Sequence, residues 1–527
     1  MKTKFIFVTG GVVSSLGKGI NASSIGKLLK EHGLKVFMQK FDPYINVDPG
    51  NMSPLQHGEV YVTDDGAETD LDLGHYERFI DERLNKHSSV TSGKIYSTVI
   101  ENERKGKYDG GTVQVIPHIT NEIKMRLING ALSSDADIVI TEIGGTVGDI
   151  ECLPYLEAIR QFRRDIGYNN TFYIHNTLVP FVKASKEIKT KPTQHSVKEL
   201  RSLGINPDML ILRTEISLDE GTKEKVALFC DVNKDAVIEA VDVDTIYEIP
   251  VKFANQRVDE IILKHFKMDA LPLNLSSWLE MVEHIKNLKD IVKIALVGQH
   301  VDTKDSYISI SESLKHAGFF NDVLVEIIPI KPCELEKDAT ILSNYNGVVI
   351  PDGFGVDYID GLFNAIKYAR EEKIPTLGIG YGMELMVIEY VRNVLGYMDA
   401  NSTEIDANTN FPLFKYAKKN DLPNKEMRLG LHEILIKDHT LAKTIYNAST
   451  IKERHRHQYE FANEYLDILK DTNLIVSGVH KDENVMEVIE LNNHPFYFGV
   501  LYHPEYISRP NRAHPVFIEF IKNAKIK

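Results

Sequence analysis

The stretch from Phe5 to Ile20 constrains the fold more than any other part of the sequence. It begins with the apolar run Phe5–Val8, continues through the glycines and serines of GGVVSSLG, and reaches Lys18 before a long amphipathic segment, 20–32. This order predicts a strand, a glycine-rich loop and a helix. Such a unit presents backbone N–H groups and a helix N-terminus to a polyphosphate.

The loop departs from the strict P-loop motif G-x-x-x-x-G-K-[ST]. The interval from Gly11 to Gly17 is one residue too long, and Gly19 stands where a hydroxyl usually contacts magnesium. An ordinary tight turn between a strand and a helix is the alternative interpretation. The position directly after a clean strand favours phosphate binding, to which Lys18 would add a positive charge.

Length and composition limit the classes of protein to consider. A chain of 527 residues is too long for one core, so two or three domains are expected. The formal net charge of −14 argues against general binding to nucleic acids or anionic membranes. Cys152, Cys230 and Cys333 are too scattered for a disulfide framework, and no signal peptide or long apolar run is evident, so we expect a cytoplasmic protein.

Alternating strand-like and helix-like segments predict an α/β fold, with a parallel sheet covered by helices on both faces. In the first half, strands are predicted at Lys4–Val8, Lys35–Lys40, Ile138–Glu142, Asn170–Ile174 and Met209–Arg213, and helices at Ala22–Glu31, Tyr76–Asp81, His118–Asn129, Tyr155–Ile166 and Ser196–Leu203. A second α/β pattern restarts at Ile291–Gly298 and closes with Phe496–Leu501. The predicted domains are 1–266 and 291–527, with a connector at 267–290.

Two carboxylates in the first half are candidate magnesium ligands. Asp72 lies in the acidic stretch 64–75, and Glu142 ends the apolar strand 138–142, just before two glycines. The end of a parallel strand lies at the edge of the sheet where ligands bind. A cation that bridges ATP phosphates needs only one or two carboxylates and water. A solvated acidic loop is the alternative interpretation for Asp72.

A lysine-rich segment, 186–196, interleaves lysines with hydroxyls, Gln194 and the rigid Pro192. Such a segment alone is usually an exposed loop. Together with Lys40 and Lys225 it suits a second anionic nucleotide, which indicates ATP-dependent chemistry on a phosphorylated substrate.

At this point a family resemblance is clear. The motifs FDPYINVD at 41–48, QHGE at 56–59, QVIPHIT at 114–120, the loop 10–20 and the segments 65–79 and 189–196 closely resemble those of the CTP synthase family. The match covers essentially the whole chain. The resemblance implies a ligase in which ATP phosphorylates O4 of UTP, ammonia attacks C4 and phosphate leaves, with Mg²⁺ bound at Asp72 and Glu142.

The resemblance also implies the roles of individual residues. Lys18 and Lys40 would stabilise the transferring phosphoryl group, and His57, with Pro54 and Val60, would border the ammonia entry. ATP would contact Ser15, Leu16, Gly17, Lys18, Gly19, Ile20, Asp72, Val241, Asp242 and Val243. UTP, or CTP as a feedback inhibitor, would contact Ser14, Asp149, Ile150, Glu151, Lys189, Thr190, Lys191, Pro192, Thr193, Gln194 and Lys225.

The second half resembles a class I glutamine amidotransferase, in which a Cys–His–Glu triad releases ammonia from glutamine. His503 and Glu505 match the later triad members, but Gly380 in GIGYGME, 378–384, stands at the position of the cysteine. Because a thiolate is the attacking species, a residue without a side chain cannot replace it. Free ammonia is therefore the expected nitrogen donor, and activation by GTP should be weak or absent.

Other positions in this half depart from the family pattern. Asp352 replaces a glycine whose N–H helps to form the oxyanion hole, Gln458 replaces an arginine that would hold the glutamine carboxylate, and Glu384 replaces a glutamine. Cys333 is far in sequence from the elbow and is not expected to rescue the activity. The expected remnants of the glutamine site are Gly353, Tyr381, Gly382, Met383, Glu384, Glu404 and Gln458.

Alternatives remain open at the level of the sequence. An engineered or erroneous Gly380 would leave a glutamine-dependent CTP synthase, although several coordinated changes favour natural loss. A non-catalytic nucleotide-binding scaffold or filament subunit is opposed by the intact Lys18, Lys40, Asp72 and Glu142. A ligase similar to dethiobiotin synthetases is opposed by the long match at 189–196. The family implies a homotetramer with shared UTP sites, while the net charge predicts no nucleic-acid or membrane partner.

Overall fold

The chain forms two compact units in a computed structural model that describes residues 2–13, 16–417 and 427–526. The first unit comprises Met1–Asn51 and Asp72–Val282, and the second comprises Met52–Leu71 and Glu283–Lys527. The segment 52–71 thus belongs to the same unit as the C-terminal half. The functional domain boundaries 1–266, 267–290 and 291–527 stay a prediction.

The first unit is built on a seven-stranded sheet in which every neighbouring pair is parallel. Its strands, in spatial order, are Val237–Val241, Met209–Thr214, Thr171–Leu178, Lys4–Gly10, Ile138–Ile143, Val36–Asp42 and Ser89–Thr91. The apolar run Phe5–Val8 is fully buried, as expected for a central parallel strand that is covered on both faces. The loops that follow the three middle strands therefore meet at one edge of the sheet.

Helices connect the strands of the first unit, and a short hairpin, Phe181–Val182 with Glu187–Ile188, projects beside them. The α-helices are Lys18–Glu31, Asp72–Ile80, Ser92–Arg104, Thr120–Ser134, Leu153–Ile166, Lys191–Ser202, Glu220–Cys230, Ile249–Asn255 and Val258–Phe266, and Ser276–Asn287 spans the boundary between the units.

The second unit has a nine-stranded sheet whose first five strands are parallel and whose last four are antiparallel. In spatial order they are Leu324–Ile330, Ile291–Val297, Gly347–Ile350, Thr376–Ile379, Tyr497–Val500, Met486–Leu491, Leu474–His480, Arg428–Ile436 and Thr450–His457. Two small sheets accompany it, formed by Ala400–Ser402, Phe411–Tyr416 and Tyr459–Phe461, and by Tyr61–Val62 and Glu68–Thr69. The α-helices are Pro54–His57, Ile308–Phe320, Pro332–Leu335, Ile359–Glu371, Tyr381–Asn393, Leu441–Tyr446 and Pro515–Ile526.

The predicted α/β class and the strands predicted in the first half are confirmed. Helices begin earlier than predicted at Lys18, Asp72 and Lys191. Polar residues in these first turns interrupt the apolar pattern from which the helices were predicted. The first N–H groups of a helix have no intrahelical partner, so polar side chains are readily accommodated there. Pro192 occupies the first turn of its helix, where its missing N–H costs nothing. The short edge strand Ser89–Thr91 was not predicted, because its three residues carry no clear pattern.

Histidines gather on the antiparallel part of the second sheet. His432 Nδ1 and His480 Nε2 are 3.3 Å apart, and the ring of His455 lies 5.1 Å from that of His432. Burial, with His455 acting in the same direction, lowers the pKa of His432 to about 4, and burial also lowers the pKa of His457 and His480. Arg428 opposes protonation of His432, whereas the Leu429 carbonyl favours it, and Glu487 and Glu483 favour protonation of His480.

We expect this cluster to make the stability of the chain fall in acid. Between pH 4 and pH 6.5 the unfolded chain binds more protons at His432 than the folded chain, so the free energy of unfolding decreases as pH falls through this window. Thermal unfolding from pH 7.5 to pH 5 measures the effect. His432→Asn should reduce the pH dependence, whereas His439→Asn, at an exposed position with φ of 63° that asparagine tolerates, should not. Equal pH dependence in His432→Asn and the unmodified chain would contradict the prediction.

Candidate functional sites of the two units

The glycine-rich loop of the first unit follows the central strand, Lys4–Gly10. Gly11 N–H donates to the carbonyl of Asn176 at 3.0 Å, and Val147 N–H donates to the carbonyl of Gly10 at 2.8 Å. A Cβ added at Gly11 would come 1.6 Å from Ser196 Oγ, so no side chain fits there. The loop is therefore held against the ends of both neighbouring strands, at the edge where a ligand can enter.

Lys18 is the first residue of the helix that follows this loop. Gly17 precedes the helix in a left-handed conformation, with φ of 79°. Lys18 Nζ donates to the carbonyl of Gly145. Burial lowers the pKa of Lys18 and Lys40 acts in the same direction, whereas Glu142 opposes them. A positive charge and free helix N–H groups thus lie together, as a phosphate site requires. The predicted contacts Ser14 and Ser15 lie outside the described residues.

Asp72 and Glu142 lie on either side of Gly19. A Cβ added at Gly19 would be 2.4 Å from Asp72 Oδ1 and 3.4 Å from Glu142 Oε2. Lys40 Nζ donates to Asp72 Oδ2 and lies 3.3 Å from Glu142 Oε1, and the Tyr76 hydroxyl donates to Glu142. In the part of the chain that the structure describes, no three His, Cys, Asp or Glu side chains are arranged to hold a metal. Two carboxylates fit Mg²⁺ that takes its other ligands from water and phosphate.

Arg213 is a candidate ATP contact that the sequence did not indicate. Its guanidinium lies 2.7 Å from Asp242 Oδ1, beside the predicted contacts Val241 and Val243. A Cβ added at Gly17 would be 3.8 Å from Arg213 Nη1. Arg213 lies near the end of the buried strand Met209–Thr214, but only the order of strands in the sheet places it beside Asp242 and Gly17.

Arg213→Met should raise KM for ATP by about tenfold or more, because a hydrogen bond to a charged group contributes about 1.5–3 kcal/mol. The constant is measured from initial rates of CTP formation at saturating UTP. Arg201→Met is the matched control, since Arg201 is exposed and its ion pair with Asp231 is long, at 3.4 Å. An unchanged KM in Arg213→Met would contradict this assignment.

The candidate UTP residues that the structure describes form three groups: the first turn of one helix with the residues before it, a turn at 149–151, and Lys225 on a second helix. Lys189 and Thr190 lead from the hairpin into the helix Lys191–Ser202, which carries Lys191, Pro192, Thr193 and Gln194 in its first turn. Asp149, Ile150 and Glu151 form an exposed turn after the strand Ile138–Ile143, in which Asp149 Oδ2 accepts from Thr146 N–H at 3.1 Å.

The side chains of these groups differ in their exposure and in their hydrogen-bond partners. Thr193 is buried, and its hydroxyl donates to the carbonyl of Leu178 at 3.0 Å, which anchors the helix rather than a ligand. Gln194 Nε2 donates to Thr190 Oγ1 at 3.1 Å, and Lys189 pairs with Glu187. Lys225 is exposed on the neighbouring helix, Glu220–Cys230. The first turn of the helix Lys191–Ser202 is therefore pre-formed.

In the second unit, Gly380 forms the sharp turn between the strand Thr376–Ile379 and the helix Tyr381–Asn393. Its φ of 55° and ψ of −119° are strained for any residue with a side chain. A Cβ added at Gly380 would come 2.4 Å from Asp352 Oδ1. The same Asp352 oxygen accepts from Tyr381 N–H at 2.9 Å. A carboxylate thus occupies the space in front of the turn and binds the first N–H of the helix.

His503 faces this turn from the strand end that follows Val500. Its Nδ1 lies 2.8 Å from Glu505 Oε1, and its Nε2 lies 4.0 Å from Asp352 Oδ2. Burial by itself lowers the pKa of His503, but the carboxylates of Glu505 and Asp352 outweigh burial and the pKa is raised. The carboxylates of Glu505 and Asp352 thus shift His503 toward its protonated form relative to a free imidazole.

The other expected glutamine-site residues lie in the loops, strands and first helical turn of the second unit. Gly382 leaves no room for a side chain, because a Cβ would come 2.1 Å from the Ile350 carbonyl, and Met383 is fully buried. Gly353 packs beside Gln299, and Gln458 holds Ala417 N–H through its backbone carbonyl at 2.8 Å. Glu404 accepts from Gly355 N–H at 3.3 Å.

His57 ends the short helix Pro54–His57 in the segment that belongs to the second unit. Its Nε2 lies 3.2 Å from Asp70 Oδ2. The segment is fixed by Glu59, whose carboxylate accepts from Ser309 N–H at 2.8 Å, and by Arg454, whose Nε donates to Asp64 Oδ1 at 2.6 Å. The contact with Asp70 restricts the His57 side chain. The position of His57 at an ammonia entry stays a prediction.

Comparisons with known proteins agree with this architecture. Residues 4–268 match the family model described as CTP synthase N-terminus, and residues 302–523 match glutamine amidotransferase class-I. A CTP synthase of Halalkalibacterium halodurans is 54% identical over 527 residues and one of Geobacillus kaustophilus is 53% identical over 525, each match covering 99% of both chains. A CTP synthase of Staphylococcus aureus is 52% identical over 526 residues, covering 99% of this chain and 98% of that one.

One solved structure, the glutaminase domain of Trypanosoma brucei CTPS with bound acivicin, is 29% identical and covers 45% of this chain and 94% of its own, with a TM-score of 0.43. Among the described residues, the helices are all too short or too polar to cross a membrane.

The matches to the two family models and the relatives that align along nearly the whole chain show that this chain belongs to the CTP synthase family.

Proposed function

We propose that this chain is a ligase that makes CTP from UTP, ATP and ammonia. ATP phosphorylates O4 of the uracil ring, ammonia attacks C4, and phosphate leaves with the oxygen. Membership of the CTP synthase family supports the overall reaction. The observation that carries the proposal is the cluster of Lys18, Lys40, Asp72 and Glu142 beside the glycine-rich loop.

The residues of the first unit act by holding charge in place. Lys18 and the N–H groups of its helix lie where they can neutralise negative charge that develops on a transferring phosphoryl group. Lys40 is held between Asp72 and Glu142 and fixes both carboxylates. Mg²⁺, when bound by Asp72 and Glu142, would supply further neutralisation of the phosphates. The glycine at position 19 keeps the space between these carboxylates open.

The UTP side of the proposal rests on the first turn of the helix Lys191–Ser202 and on Lys189 and Lys225. Their positive charges would offset the triphosphate, as the acidic background of the chain requires. We also propose a homotetramer in a reducing cytoplasm, with CTP as a feedback inhibitor that shares the UTP residues. Resemblance to the family supports the tetramer and the inhibition by CTP, and the three scattered cysteines support the reducing cytoplasm.

The nitrogen donor is proposed to be free ammonia, because the second unit offers no nucleophile at Gly380. The strand–turn–helix geometry matches the turn on which hydrolases place their nucleophile, and the N–H of the following residue commonly binds the oxyanion. Here that N–H belongs to Tyr381 and is bound by Asp352. A carboxylate at this point would repel a developing oxyanion. The retained His503–Glu505 pair would therefore have no thiol to activate.

A nitrogen-donor assay tests the proposal. Purified protein with ATP, UTP and MgCl₂ should form CTP from ammonium chloride at pH 8 and should form none above background from glutamine, with or without GTP. Glutamine that supports CTP formation at a rate comparable to ammonium would overturn the loss of the glutaminase. Failure to form CTP from either donor would favour the alternative of a nucleotide-binding scaffold, which UTP-dependent hydrolysis of ATP would in turn oppose.

A further inference from the structure

Three carboxylates converge around the turn at Gly380. Asp352 lies in front of the turn, Glu384 extends from the first helical turn after it, and Glu404 follows the short strand Ala400–Ser402. Gly355 links Glu404 to Tyr381, since its N–H donates to Glu404 and its carbonyl accepts from the Tyr381 hydroxyl at 2.7 Å, and Tyr381 N–H in turn donates to Asp352. The three carboxylates of Asp352, Glu384 and Glu404 are close enough to influence one another's pKa, and we call the space between them the carboxylate pocket.

Glu384 is the most buried of the three, with 3% of its surface exposed. One carboxylate oxygen is hydrogen-bonded to Ser402, whose Oγ also accepts from Glu404 N–H at 3.2 Å. The other oxygen, Oε2, is buried without a hydrogen-bond partner among the described residues. A buried carboxylate oxygen without a donor is costly, so this atom marks a place for a ligand that supplies one.

Positive charge from this chain does not balance the pocket. Across 2–13, 16–417 and 427–526, no lysine or arginine forms an ion pair with Asp352, Glu384 or Glu404, and His503 Nε2 lies 4.0 Å from Asp352 Oδ2. Another base, His300, also interacts electrostatically with Asp352, but burial lowers its pKa and so favours its neutral form. The remaining titratable neighbours are phenols, which cannot supply a positive charge, namely Tyr307, Tyr381, Tyr459 and Tyr506. Like charges at close range in a buried site demand protons or a cation.

We propose that this pocket binds a small cation that carries N–H donors, namely ammonium or the head group of a primary amine. Its acceptors are the three carboxylates, which suit N–H donors at hydrogen-bond distance. A bound metal ion is less suited, since the described residues present no metal-binding group of three or more ligands. The inference rests on one part of the proposed function, namely that the second unit no longer binds and hydrolyses glutamine in this pocket.

Binding of such a cation should release protons. Burial raises the pKa of Glu404 to about 7, and burial together with Glu404 and Asp352 raises the pKa of Glu384 well above its ordinary value. A bound cation favours the ionised carboxylates, so affinity should increase as pH rises from 6 to 8. A ligand held by neutral groups elsewhere would not show this dependence.

The experiment uses the full chain and ¹³C-methylammonium chloride as the probe, with NMR line broadening as the readout. Broadening should be saturable, should be competed by ammonium chloride, and should not be competed by tetramethylammonium chloride at equal ionic strength, because that ion has no N–H group. Glu384→Gln and Glu404→Gln should each weaken binding at least tenfold. Glu336→Gln, which removes an exposed carboxylate of the same unit, should leave binding unchanged.

Equal competition by tetramethylammonium, or unchanged binding in both Glu384→Gln and Glu404→Gln, would overturn the inference. Circular dichroism and thermal unfolding establish that each variant is folded. CTP formation from ammonium in the same preparations separates the two proposals. Absence of CTP formation would contradict the proposed function, whereas CTP formation without saturable methylammonium binding would contradict this inference alone.

Discussion

Lys18→Met is expected to lower kcat for ammonia-dependent CTP formation by about 10²–10³-fold, the typical effect of removing one preorganised group that stabilises transition-state charge. Lys18 is partly buried and its Nζ donates to the carbonyl of Gly145, so the side chain is positioned before any phosphate arrives. Methionine keeps much of the volume of the side chain and removes the charge. Initial rates of CTP formation at saturating ATP, UTP and ammonium measure the effect.

Lys198→Met is the control for Lys18→Met. Lys198 is exposed on the helix Lys191–Ser202 and lies outside the proposed sites, so its replacement should change kcat by less than twofold. A kcat for Lys18→Met within threefold of the unmodified chain would contradict the assigned role. A parallel fall in KM and kcat would instead indicate a changed ground state of the bound nucleotide.

Gly380→Cys by itself is expected to leave the chain without glutaminase activity and to destabilise the second unit. The backbone conformation of Gly380 costs about 1–3 kcal/mol for a residue with a side chain. In addition, the new Cβ would meet Asp352 Oδ1 at 2.4 Å. Thermal unfolding should therefore show a lower Tm than in the unmodified chain, and glutamine should release no ammonia above background.

Adding Asp352→Gly to Gly380→Cys should reverse much of this loss. The double variant removes the clash and frees Tyr381 N–H to bind an oxyanion. We expect at least a tenfold rise in ammonia release from glutamine over Gly380→Cys, measured by a coupled ammonia assay. Asp357→Gly with Gly380→Cys is the matched control, because Asp357 lies in the same loop but is exposed. Activity in Gly380→Cys equal to that of the double variant would show that Asp352 does not block the site.

The local pattern of the sequence predicted much of the first site. An apolar run, a glycine-rich loop and an amphipathic segment specify strand, loop and helix through short-range forces, and the structure has all three. The candidate carboxylates Asp72 and Glu142 lie close to one another on either side of Gly19. Their role as magnesium ligands, like the roles of the other site residues, stays a prediction.

Arg213 escaped the sequence analysis for a physical reason. Its partner Asp242 follows the next strand along the chain, and Gly17 is nearly two hundred positions away in sequence. Only the order of strands in the sheet brings these residues together. The assignment of 52–71 to the second unit has the same origin, because it depends on contacts such as Glu59 with Ser309 and Arg454 with Asp64.

The sequence by itself determined that the chain has two α/β domains and that position 380 carries no side chain. Both are properties of short segments, and they follow from apolar periodicity and residue identity. Only the tertiary structure decided that Asp352 fills the space in front of Gly380 and that Glu384 and Glu404 share its pocket. Those contacts join residues on separate strands and loops, and the packing of the sheet, rather than any local preference, sets their distances.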